Sequence, residues 1–258
     1  MAIPALIFCR GGGKASFVKI ALEAGWLYGA RLPSTIYGNL YFADQDWKKP
    51  DRQTYMKALE KHRPVVATVL DLEREEQFLE VMNWAEQASQ FVEKVVIIPK
   101  VSGIISRIPK KINNKYIVLG YSVPTKYGGT RVSPLEFEGR PVHLLGGSPF
   151  RQMEFYLCMN VESADGNMMN QQANLCRYWS PLFNDKKQNW IQLKETGDNR
   201  KDGANLECFR LSCYNIMTAW KWWCKEDRTN LLRGFLPLPR KGLAKSVFQK
   251  SYCKKDYS

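Results

Sequence analysis

The sequence predicts an α/β fold, a (β/α)8 barrel of the TIM type with irregularities and a basic helical extension at its C-terminal end. Three observations lead there. Short runs that are apolar throughout recur between helix-like segments, the pattern of parallel strands buried on both faces. Eight such runs can be counted, the number that closes a barrel. A chain of 258 residues, 45% apolar and 24% charged, is ample for one large domain with a real core. A doubly wound open sheet is the alternative, because no helix-like segment separates the second run from the third.

The elements follow in order. Residues 5–9 (ALIFC) read as a first strand, and 14–24 as a helix. Residues 26–31 and 36–42 are the next two strands, divided by a Pro-Ser turn. A helix over 52–61 leads to the β-branched run 65–70, and the long amphipathic stretch 74–92 precedes a strand at 95–98. Another helical piece leads to a strand at 116–119. A loop with Gly and Pro then leads to one at 142–145. In "VHLLGGSPFRQ", Ser148 suits a helix N-cap and Pro149 the first helical position. Residues 160–163 form the last strand, 181–203 an exposed polar loop, and 206–225 a closing amphipathic helix. The expected division is a catalytic barrel over 1–203, with the closing helix and a basic, aromatic-rich tail over 204–258 packed on the same domain.

Charge points to a polyanion. The net charge is +13, and residues 221–258 hold ten Lys or Arg against three Asp or Glu. Aromatic side chains (Trp220, Trp222, Trp223, Phe235, Phe248, Tyr252) lie among these cations, as suits stacking on nucleic-acid bases. Lys221, Lys225, Arg228, Arg233, Arg240 and Lys241 are the candidate nucleic-acid contacts, and DNA is the expected partner. Seven cysteines at irregular spacings, without a CxxC pair, and only His62 and His143 argue against a disulfide framework and against zinc. The expectations are a reducing cytoplasm, no metal, no cofactor and no membrane, since no apolar run approaches the roughly 20 residues of a span. "CRGGGKA" fails as a phosphate loop: Phe8 stands where the first Gly is required and Ala15 where Ser or Thr is.

In a barrel of this type chemistry sits where strands run out into loops at the C-terminal face. "YFADQDW" puts Asp44 and Asp46 at one such end, and "TVLDLE" puts Asp71 and Glu73 at another. "VIIPK" ends in Lys100, "VLGYSVP" carries Gly120 and Tyr121, "HLLGGSP" carries Gly146 and Gly147, and "NVESADGN" delivers Asp165. One such Asp is often only a helix cap or a turn residue. Carboxylates gathered from three strands need a chemical reason: acid–base work, attack at a sugar carbon, or a divalent metal.

Taken in order, these strand ends resemble the tRNA-guanine transglycosylase superfamily, in particular its phage and bacterial DNA-directed branch, which inserts 7-deazaguanine bases into DNA. The resemblance spans roughly residues 41–179. It implies Asp165 as the nucleophile and Asp44, with Asp46 second, as general base. It also implies a base pocket of Asp71, Gly120, Tyr121, Gly146 and Gly147. Two departures stand out: the family's Cys-rich zinc site is absent, and Pro99-Lys100 replaces the strand end that usually offers a Gln to the base. Lys100 therefore enters the pocket set in its place.

The expected reaction is exchange of guanine in DNA for a free 7-deazaguanine base through a covalent aspartyl-glycosyl intermediate. Flipping the nucleotide out of its stack would be offset in part by the basic tail. A base-removing glycosylase, a nucleic-acid-binding protein on the same barrel, and a metal-dependent nuclease are the rivals. The resemblance allows a homodimer, for which the sequence carries no interface signature.

Overall fold

The computed structural model describes residues 3–11, 15–125, 128–181, 190–193 and 203–225, and in it eight parallel strands close into a barrel. In chain order the elements are β1 (Ala5–Cys9), α1 (Ala15–Glu23), β2 (Leu27–Arg31), β3 (Phe42–Asp44), α2 (Arg52–His62), β4 (Val66–Thr68), α3 (Phe78–Ala88) and β5 (Lys94–Ile97). They continue with β6 (Lys111–Ile112), β7 (Lys115–Ser122), β8 (Pro141–Leu145), α4 (Pro149–Tyr156), β9 (Asn160–Gly166), α5 (Met168–Ala173), β10 (Arg177–Trp179), β11 (Trp190–Gln192) and α6 (Ala204–Lys225). The ring runs β1–β2–β3–β4–β5–β7–β8–β9 and returns to β1; pairing of β5 with β7 joins its two halves. This is a (β/α)8 barrel, and β6 is a two-residue antiparallel arm on β7.

The helical ring is incomplete. A loop joins β2 to β3. A 3-10 turn (Ile104–Arg107) with the β6 arm stands where the sequence suggested a helix before β7. The third strand also starts later than expected. Gly38, at φ +107°, breaks the extended run, and pairing with β2 begins only at Phe42. The last strand is longer than its apolar run, because β8 carries the ladder on to Ala164 and β1 carries it to Gly166. Within the expected loop 181–203, Trp190–Gln192 pairs with Arg177–Trp179 as a small antiparallel ribbon.

Side chains alternate across the wall, as strand geometry requires. Ile7, Phe42, Val66, Val96, Ile98 and Val118 point inward and plug the barrel. A larger apolar layer fills the space between strands and helices. Burying each such side chain contributes roughly 1.5–3 kcal/mol. Between Val142–Val161 and His143–Ser163 the β8–β9 register shifts, leaving Glu162 as an extra residue, a bulge. Glu162 forms an ion pair with Lys94 from β5. α6 packs on α5, α1 and β10, and its Cys208, Phe209, Cys213 and Trp220 join the same core as the barrel.

Gly120 shows how tightly the interior is filled: a Cβ there would lie 2.6 Å from Ile98 Cγ1 and 2.9 Å from Leu145 Cδ1. Gly120→Ala should therefore overpack the barrel and lose about 1–3 kcal/mol, read as a lower midpoint in chemical denaturation.

Candidate active site at the barrel mouth

Two carboxylates define the mouth. Asp44 is the last residue of β3, and Asp165 stands next to the end of β9. Thr68, ending β4, donates its hydroxyl to Asp44 Oδ1 at 2.9 Å and accepts the Gln45 backbone N–H at 3.0 Å. The Tyr55 hydroxyl of α2 reaches the carbonyls of Thr68 (2.8 Å) and Ala43 (3.2 Å), locking β3 to β4. Burial, then the charge on Asp165, then that on Asp71 push the Asp44 carboxyl up to about 7, against the Thr68 hydrogen bond and Arg31. Cys9, ending β1, is pushed well up as well, by burial and by both carboxylates, which keeps its thiol protonated.

The two glycines of "HLLGGSP" serve Asp165. Gly146 and Gly147 have φ of +64° and +83°, backbone that disfavours other residues. This turn aims the Gly146 N–H at Asp165 Oδ1, 3.1 Å away. Gln152 of α4 donates the two N–H groups of its amide to the carbonyls of Gly146 (2.8 Å) and Asp165 (2.7 Å), stapling β8 to β9. Ser148 caps α4 by accepting the Arg151 N–H, with Pro149 at the first helical position. A Cβ on Gly147 would also meet Val123 at 2.6 Å, whereas Gly146 has open space beside it.

His143 lies beneath the carboxylates, wholly buried, with Nδ1 2.8 Å from Ser163 Oγ and Nε2 3.5 Å from Asp165 Oδ1. Its ring stacks on Phe42, centroids 4.7 Å apart. Elsewhere on the rim, Asp71 and Lys100 form an ion pair at 3.6 Å, both mostly buried. Burial raises the Asp71 carboxyl and Lys100 opposes the rise.

The mouth thus collects Asp44, Asp71, Lys100, Gly146 and Asp165 from the expected set. Others stand elsewhere. Asp46 lies on the turn after β3, where its carboxylate accepts the Lys48 N–H at 3.1 Å and faces Arg31 at 3.8 Å. Tyr121 points outward, its ring against Phe137 and Phe155 in the layer under the helices, because its neighbour Gly120 takes the inward position. Gly120 itself is sealed beneath Ile98 and Leu145, so it serves packing and does not line the pocket. Lys221 and Lys225 are exposed on α6, but Trp220 and Trp223 belong to the core and offer no stacking face. Trp222 is partly exposed. Arg228, Arg233, Arg240 and Lys241 lie outside the described residues, as do Phe235, Phe248 and Tyr252.

Sequence reasoning missed His143, Ser163, Thr68 and Gln152. The signal for His143 was available, since it is a polar residue at an alternate position of an otherwise apolar strand. Gln152 offered none, being one polar residue on a short helix. Among the described residues no group of three or more His, Cys, Asp or Glu could hold a metal ion, and no helix is long and apolar enough to cross a membrane.

Because ionised Asp44 is the penalised form, the folded chain binds its proton more tightly than the unfolded chain does. Stability should fall as pH rises from about 4 to about 7 and level off above. Asp44→Asn keeps the Thr68 contact and removes the penalty. Relative to the unsubstituted chain, it should gain up to a few kcal/mol between pH 4.5 and pH 8, measured by urea denaturation at each pH.

The model of a family of unknown function, DUF6610, matches residues 21–221. No curated protein matches the chain.

Proposed function

The chain belongs to the DUF6610 family, and we propose that it is a glycosyl-transferring enzyme that exchanges guanine in DNA for a free 7-deazaguanine base. The observation that carries this reading is the carboxylate pair at the mouth. Asp165 is held by a backbone N–H, and beside it Asp44 titrates near neutrality. A carboxyl that keeps its proton up to near neutrality, next to a second carboxyl placed to attack, is what an acid and a nucleophile at one glycosidic bond require.

The steps follow from those states. A carboxylate oxygen of Asp165 attacks the anomeric carbon as the bond from carbon to guanine nitrogen breaks, and protonated Asp44 gives its proton to the departing base. The glycosyl ester on Asp165 is then attacked by the ring nitrogen of the incoming 7-deazaguanine, whose proton Asp44 takes up. Asp165 is regenerated as a carboxylate and Asp44 as an acid, so the cycle closes without metal or cofactor. Asp71 and Lys100 present an acceptor beside a donor, suited to the N–H and carbonyl edge of the heterocycle. DNA as the polymer rests on the cationic surplus of residues 221–258.

Incorporation of labelled 7-deazaguanine into DNA tests the reading. Asp165→Asn should lower it by on the order of 10³-fold or more with the circular dichroism spectrum unchanged. Asp44→Asn should cost about 10²–10⁴-fold. Retained activity in Asp165→Asn removes this nucleophile. Abasic sites formed without any added heterocycle would turn the assignment to base removal.

A further inference from the structure

We infer that His143 is a positioning residue that holds one oxygen of Asp165 through its Nε2–H, in a tautomer set by Ser163, and leaves the other oxygen free to react. This rests on Asp165 being the reacting carboxylate. The imidazole is wholly buried, and its Nε2 has no hydrogen-bond partner within bonding distance although it lies 3.5 Å from Asp165 Oδ1. Buried polar atoms without partners are rare and call for an explanation.

Hydrogen counting supplies it. A neutral imidazole carries one N–H. If that hydrogen were on Nδ1, donated to Ser163 Oγ at 2.8 Å, the buried Nε2 lone pair would face a carboxylate oxygen. If Ser163 donates to Nδ1 instead, Nε2–H points at Asp165, and both buried contacts become favourable. The bulge at Glu162 is what sets Ser163 opposite His143, and Phe42 stacked on the ring fixes its plane. Oδ1 also accepts the Gly146 N–H, while no hydrogen bond from a described residue reaches Oδ2. Cys9 from β1 and Asp44 from β3 are the other titratable groups that feel the charge on Asp165. A 3.5 Å separation is long for a hydrogen bond, and such contacts shorten when substrate fills a site.

The test uses the whole chain. Nitrogen-15 NMR of the histidines should find a proton on Nε2 of His143, and carbon-13 NMR should follow the titration of the Asp165 carboxyl. His143→Phe keeps the ring and its stacking but has no donor, and should raise the Asp165 midpoint by about one unit or more. In base exchange it should lower kcat about 10–100-fold with KM for DNA unchanged, and His143→Gln, which restores an N–H, should recover most of the loss. An Nε2 without a proton overturns the inference, as does an Asp165 midpoint unmoved in folded His143→Phe. The Nε2 measurement on the unsubstituted chain stands even where a variant fails to fold. If that chain exchanges no base while the proton is on Nε2 and the midpoint shifts, base exchange falls and the His143–Asp165 coupling stands.

Discussion

Holding two carboxylates at one mouth of a closed barrel is the constraint on which the site depends. Asp44 and Asp165 come from strands far apart in sequence, and their charges oppose one another in a place where burial already disfavours ionisation. A fold tolerates this only if donors are fixed on each group. Thr68 serves Asp44, and Gly146 serves Asp165. These donors are in turn held: Thr68 by the Gln45 N–H, and the glycine turn by Gln152. The result is a pair in which the Asp44 carboxyl is pushed up and neither member is left without a donor.

The barrel makes such an arrangement rigid. A plug of six apolar side chains closes the interior beneath the site, and glycines at inward positions let neighbouring strands fill the ring without strain. The half-buried Lys94–Glu162 pair ties β5 to β9 on the other side of the ring. Helices are missing after β2, β5 and β7, yet the strands that carry Asp44 and Asp165 are each followed by one. The staple residues Tyr55 and Gln152 come from α2 and α4, so the helical layer contributes directly to the geometry of the mouth.

Lys100 gives the site an individual character. Here a cation is paired with Asp71 and mostly buried. Such a pair keeps net charge low while placing one donor beside one acceptor at the mouth. The thiol of Cys9, kept protonated between the carboxylates, adds bulk and a weak donor to the floor without competing as a nucleophile.

Much of this was legible from sequence because parallel strands buried on both faces leave continuous apolar runs; seven of the eight such runs overlie barrel strands, and the run 36–42 meets β3 only at its last residue. Asp44, Asp71 and Asp165 could be found because they sit where those runs stop, and Ser148-Pro149 because a helix start has its own chemistry. Tertiary structure decided the rest. Which side of β7 faced inward, and so the exchange of roles between Gly120 and Tyr121, depended on pairing with β5 and β8. Asp46 and Asp44 differ by one turn that no local pattern distinguishes. The His143–Ser163–Asp165 contact needed a bulge to bring two strands into that register. Alternation in a strand states that successive residues point to opposite sides. Only closure of the ring says which side is which, since that is set by partners distant in the chain.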